Sequence, residues 1–355
     1  MKKIIFATLA AAALVACAKE EPIALDKEPI KFNSDFVDGS VRSIDPSIQN
    51  AAGVVEFKVY GTIKGDEAGS ETVNIYEGVD VANNLTVGVG DGWKYAIDYV
   101  QYWIDGDTYD FAAVVNGNVA TTNGVGMPAT ITYTADGKTD LLYAQNHYGV
   151  YTKGTSVTQV PFTFNHLLSK VKFTVKNTIA TNSAYQAYTY KVSDVKITNA
   201  YASGTYTVAD DDVTNGTWGT TPTGGFETKF GNIDTAVGSE TPFVSTDTNV
   251  AYVYAINGQA KAESHDERLL IPGEKKLNIQ ATIQLFLNNK QVDVIDYDKN
   301  VTVTLAKGTA YNFVIELGNP GDEIKFTVNK VNDWTPAGAD VVAPAYPDAP
   351  VVPQP

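Results

Sequence analysis

Apolar and polar residues alternate with a period of two along most of this chain. Val171, Phe173 and Val175 alternate with Lys170, Lys172, Thr174 and Lys176. Leu277, Ile279, Ala281, Ile283 and Leu285 alternate with Asn278, Gln280, Thr282 and Gln284. Val301, Val303 and Leu305 continue the pattern, then Tyr311, Phe313, Ile315 and Leu317, then Ile324, Phe326 and Val328. Successive side chains of a strand point to opposite faces, so each run predicts a strand with one buried and one wetted face. Shorter runs predict strands at 54–60, 72–76, 85–89, 95–102, 109–115, 129–134 and 141–145, and later at 191–198, 201–208 and 250–256. Asp91-Gly92, Asp105-Gly106, Asn116-Gly117 and Asp136-Gly137 mark turns between them. Beyond the first seventeen residues, no window sustains the 3.6-residue period of an amphipathic helix. The pattern predicts an all-β chain.

Short strands at this spacing favour β-sandwiches, and about 300 ordered residues exceed one comfortable core. We therefore expect two sandwiches, at 28–158 and 159–336, with the boundary near the polar stretch Thr152-Lys153-Gly154-Thr155-Ser156. The Gly-, Asp- and Thr-rich stretch from Ala209 to Thr248 reads as a long insertion. A tail at 337–355 carries Pro344, Pro347, Pro350, Pro353 and Pro355 and favours polyproline II over strand.

The first residues read as an address. Lys2 and Lys3 precede the twelve-residue apolar run Ile4–Val15, too short to span a bilayer but long enough for the centre of a signal peptide covering 1–16. The only cysteine stands at its end, and Leu14-Val15-Ala16-Cys17 resembles the bacterial lipobox, which implies lipid modification of Cys17. Acyl chains at about 0.8 kcal/mol per buried CH₂ anchor a protein without a spanning helix. Residues 17–27 then form a tether. Its Lys19-Glu20-Glu21 resembles the acidic signal that sends lipoproteins of Bacteroidetes-type bacteria to the outer face of the outer membrane.

Composition narrows the function. A formal charge of −15 leaves no basic face for a nucleic-acid backbone. One Cys, three His and two Met leave no material for a disulfide framework, zinc cluster or haem site, and no cofactor or metal is expected. Asp210, Asp211 and Asp212 lack the spacing of a calcium loop. His166 and Ser169 lie in a strand pattern without a nucleophile elbow or visible third partner. Trp93, Tyr95, Tyr99, Tyr102 and Trp103 offer a sugar-stacking platform, although alternation sends most of them inward. No active site is evident, and an enzyme is not expected.

Three strings carry a family resemblance. WKYAIDYVQYWIDGDTYDFAAVV runs from Trp93 to Val115. DLLYAQN and FTFNHLLSKVKFTVK fall between Asp140 and Lys176. GTAYNFVIEL and IKFTVNKVNDW close the pattern at Trp334. In this order they resemble the fimbrillin lipoproteins of Bacteroidetes, subunits of type V pili. The resemblance implies two tandem transthyretin-like β-sandwich domains, surface export, and cleavage after an Arg near the mature N-terminus. That cut removes a first strand, whose slot a strand from a neighbouring fimbrial subunit fills, with a surface glycan or protein as an adhesion partner. Here Ile30, Phe32 and Phe36 form the matching displaced strand. Arg42 is the first Arg after Cys17 and one of only two in the chain. The proline-punctuated tail departs from the donor strand that stalk subunits carry. A surface glycan-binding lipoprotein that does not polymerise is the alternative, with a hydrolase a distant third.

Overall fold

The computed structural model describes residues 27–34, 56–122, 125–154, 159–180, 183–209, 216–219, 225–230, 233–235, 253–256, 259–263 and 267–333. Among them the one helical element is a single 3₁₀ turn, Ile97–Tyr99; the rest is strand and connection. The expected all-β class is what forms, with sheets packed face to face.

In the N-terminal half, a five-stranded antiparallel sheet runs in the order Thr72–Ala82, Glu56–Lys64, Thr108–Val115, Leu142–Val150, Asn165–His166. Thr108–Val115 lies inside the sheet. Tyr109, Phe111, Ala113 and Val115 enter one core, while Ala112 and Val114 enter another on the opposite face. A strand buried on both faces needs a continuous apolar run rather than alternation, which accounts for the sequence Phe111-Ala112-Ala113-Val114-Val115. Over the first face lies a small parallel sheet of two four-residue strands, Lys31–Ser34 and Gln159–Phe162.

In the C-terminal half, Ser169–Asn177 pairs in parallel with Thr309–Leu317, with Phe173 opposite Phe313, and Lys325–Asp333 extends the sheet antiparallel. Facing it are Tyr188–Tyr201, Gly273–Leu287 and Lys290–Leu305, the last two joined by a tight hairpin at Asn288 and Asn289, both at positive φ. Phe173, Phe230, Phe313, Ile197, Ile279 and Ile283 fill the space between the two sheets.

A further sheet joins residues from both halves. Ser203–Thr207 pairs antiparallel with Val125–Thr134, flanked by Asn118–Thr122 and Thr217–Gly219. Beneath it, Ile131, Tyr133, Leu141 and Tyr143 share a core with Leu167, Leu168, Tyr206, Leu269 and Ile271. Val160, Phe162 and Phe164, beyond the expected boundary at 158, pack in the N-terminal core.

Three sequence expectations change. The predicted strands at 85–89 and 95–102 are not strands. The chain from 83 to 107 joins the five-stranded sheet at its end strand, where Ala82 and Lys94 exchange backbone bonds at 2.9 and 3.0 Å. It crosses as a loop with a 3₁₀ turn, in which Tyr99 N–H donates to Ala96 and Val100 N–H to Ile97, both at 3.1 Å. The stretch read as an insertion contributes strands. Thr217–Gly219 pairs with Ser203–Thr207, and Gly225–Lys229 and Ile233–Thr235 both pair with Tyr188–Tyr201.

Candidate functional site

The N-terminal strand is held from two sides. At its start, the Ile30 N–H donates to the Gln101 carbonyl at 2.9 Å, and the Trp103 N–H donates to the Glu28 carbonyl at 3.0 Å. Pro29 stands opposite Tyr102 between those bonds, where its missing N–H costs nothing. The run then changes partner. Lys31, Phe32, Asn33 and Ser34 pair in parallel with Gln159, Val160, Pro161 and Phe162.

Alternation sends Ile30, Phe32 and Ser34 inward, each no more than 2% exposed, and turns Lys31 and Asn33 outward. The Phe32 ring lies 5.2–5.8 Å from the rings of Tyr76, Tyr95, Phe111 and Phe162, edge-on to Tyr76 and Phe111 and stacked on Phe162. Burying side chains of this size is worth about 1.5–3 kcal/mol each, before chain entropy. The Tyr95 hydroxyl donates to the Ile30 carbonyl at 2.6 Å and lies 3.2 Å from the Tyr76 hydroxyl. Burial raises the pKa of both phenols, so they stay neutral donors.

Polar groups line the slot's rim. The Tyr151 hydroxyl donates to Glu28 Oε2 at 3.0 Å, and burial, followed by that carboxylate, pushes its pKa up to about 12. Lys31 Nζ meets Asp91 Oδ2 at 2.8 Å, and this bond holds the Asp91 carboxyl below its usual range. Gln159 Nε2 donates to the same oxygen at 3.2 Å.

Of the sequence-predicted site residues, Ile30 and Phe32 come together in the N-terminal core. Phe36, Arg42 and Cys17 lie outside the described residues, as do Asp210, Asp211 and Asp212. The alternation of Ile30, Phe32, Ser34 and Phe36 puts Ser34 on the same face, and the structure buries it; sequence reasoning missed the flank at Gln101–Trp103 and the partner strand Gln159–Phe162. The alternation of Val160, Phe162 and Phe164 was the available signal for that strand.

The stacking platform does not form as a unit. Trp93, Tyr95 and Trp103 are buried, while Tyr99 and Tyr102 are about half exposed. His166 has the partner its sequence neighbours concealed: buried Nδ1 bonds to Asp140, whose Oδ1 also accepts the Leu141 N–H at 2.8 Å. Ser169 Oγ donates instead to the Ala306 carbonyl at 2.7 Å, so this serine is a structural pin between strands rather than a nucleophile facing His166. Among the described residues, no cluster of three or more His, Cys, Asp or Glu gathers to hold a metal. An open, polar cavity of about 420 Å³ lies beside the joining sheet, lined by Glu56, Lys58, Asp80, Asn118 and Thr134 among others. Its Lys58 and Asp80 are already paired at 2.6 Å.

Comparison with known proteins agrees with this architecture. No curated protein matches the chain. A fimbrial protein from Bacteroides vulgatus superposes with a TM-score of 0.58 at 16% identity, covering 87% of this chain and 100% of that one. A cell adhesion protein from Bacteroides uniformis, so described provisionally, gives 0.44 at 16% identity, covering 87% and 98%. The first of these shares the fold. A fimbrillin-like family profile matches residues 47–334, most of the chain and all three strings that carry the resemblance, and on that match the chain belongs to the fimbrillin-like family.

Proposed function

We propose that this protein is a non-enzymatic structural subunit or adhesin of a bacterial surface fimbrium, assembled by strand exchange. It is exported as a lipoprotein. Signal peptide 1–16 is removed, Cys17 is lipidated, and the acyl chains hold the protein at the outer face of the outer membrane. Proteolysis after Arg42 detaches the segment carrying Ile30, Phe32 and Phe36, and a strand of another fimbrial subunit takes its place. The body of the protein is two tandem β-sandwich domains, expected at 28–158 and 159–336, with Val160, Phe162 and Phe164 packed in the N-terminal core.

Family membership supports the fimbrial role. One observation carries the exchange step: Phe32 is a core residue on a four-residue strand with a single neighbour in its sheet, and Ile30, also in the core, immediately precedes that strand. Withdrawing that strand opens an apolar groove and leaves backbone groups of Gln101, Trp103 and residues 159–162 without their partners. Such an edge favours strand addition, in which main-chain bonds supply affinity and alternate pockets supply register. The other arginine makes a poor protease site. Arg268 begins a strand paired with Ser169–Val171, and its guanidinium lies 5.7 Å from the Phe230 ring.

Treatment with an Arg-specific protease tests the reading. On gel filtration the cut wild type is expected to lose the segment ahead of Arg42 and to bind a strand of a partner fimbrial subunit, and Arg42→Ala to do neither. A cut wild-type protein that binds no subunit strand and keeps undiminished stability overturns strand exchange. Cys17→Ala is expected to lose palmitate labelling and membrane fractionation; unchanged labelling overturns the lipid anchor.

A further inference from the structure

The run Glu28–Ser34 is a template for any strand that occupies its slot. The first pocket takes an aliphatic side chain on a residue with a free N–H, since the Gln101 carbonyl accepts from Ile30 there. The next position faces the Asp91 carboxylate, 2.8 Å from Lys31 Nζ. The third pocket is walled by the rings of Tyr76, Tyr95, Phe111 and Phe162, all within 6 Å of the Phe32 ring by centroid. The fourth position points outward, and the fifth, at Ser34, is closed to solvent with only a small side chain in place.

Resting on the strand-exchange reading above, we propose that the slot selects an incoming strand of the pattern aliphatic, basic, aromatic, any, small, running parallel to Gln159–Phe162. We infer further that residues 335–355 of a second copy do not supply it, so that the occupant is a partner subunit bearing that pattern. Only three five-residue windows of 335–355 lack proline, and they put Ala339, Asp340 or Val341 in the aromatic pocket. The best of them, Ala339 to Ala343, keeps the alternation and the small fifth residue. It underfills the first pocket with Ala339 and the third with Val341, and sets Asp340 against Asp91. Voids in a close-packed site and a like-charge contact both weaken binding. Tyr346 is the one aromatic residue in this stretch, and seating it puts Pro344 where the Gln101 carbonyl needs a donor.

The test uses the full chain cut by an Arg-specific protease and fluorescein-labelled peptides, read by anisotropy and native mass spectrometry. A peptide of residues 27–36 is expected to enter the cut chain and not the uncut one. The same peptide with Phe32→Ala, and a peptide of residues 335–348, are each expected to bind at least about 100-fold more weakly. Lys31→Asp in the first peptide is expected to weaken binding more at low salt than at high salt. If the 335–348 peptide binds as tightly as 27–36, the selectivity proposed here is wrong while strand exchange stands. If neither peptide enters the cut chain, strand exchange itself fails and takes this proposal with it.

Discussion

The N-terminal and C-terminal cores of this protein are closed in different ways. The C-terminal core lies between sheets whose principal strands are long, Gly273–Leu287 and Lys290–Leu305 among them, and Ser169–Asn177 is bonded along both edges. The N-terminal core is covered on one face by two four-residue strands, and one of these, Lys31–Ser34, comes from the start of the chain. Ring packing around Phe32 compensates for the few backbone bonds. A short strand anchored by one aromatic side chain is well seated yet separable, because its stability is concentrated in a few groups rather than spread along a ladder. The same reasoning explains why each pocket along the slot carries so much of the selectivity.

The largest effect that would break this comparison comes from the anchors. Phe32→Ala is expected to destabilise the N-terminal half by about 3–5 kcal/mol, and Phe313→Ala the C-terminal half by a similar amount. Hydrogen exchange separates them. Phe32→Ala should raise exchange at 159–162 and 101–103 while leaving 169–177 and 309–317 protected. Uniform loss of protection across both halves would show that the two cores melt as one unit.

A second effect acts in both halves and weighs more on the N-terminal one, where burial also raises Tyr60, Tyr76, Tyr95 and Tyr133. Burial pushes Tyr109 and Tyr151 in the N-terminal half, and Tyr190 and Tyr297 in the C-terminal half, up to about 12. A folded-state pKa above the unfolded value stabilises the protein fully below the unfolded value and less as pH rises toward the folded one. Stability should therefore be flat up to about pH 10 and fall from there to about pH 12, by up to about 1.4 kcal/mol per pH unit for each tyrosine. Urea melts at stepped pH check this, and a decline beginning well below pH 10 would place the cause elsewhere.

The smallest effect is at the rim. Lys31→Ala removes an exposed ion pair with Asp91, and exposed pairs contribute little and less still in salt. Thermal melts of Lys31→Ala and wild type are expected to coincide at high salt. A large drop would mean that the rim, not the Phe32 pocket, holds the strand.

Side-chain alternation is a local property, so the sequence by itself determined the all-β class, the inward faces of most strands, and the inward turn of Ile30 and Phe32. The strings around Trp93, His166 and Tyr311 were likewise legible as family features. Partnership between distant segments was not, because an alternating strand has the same pattern whichever neighbour it finds. Only the tertiary structure decided that Phe32 lies beside Val160 in a parallel pair, that Asp140 meets His166, and that Val125–Thr134 bonds to Ser203–Thr207 across the two halves. It also decided that 95–102 turns as a loop, bonded at one end to the N-terminal run through Gln101 and Trp103. Backbone hydrogen bonds between strands carry no residue code of their own, so register and neighbour are set by which side chains fill a shared core together.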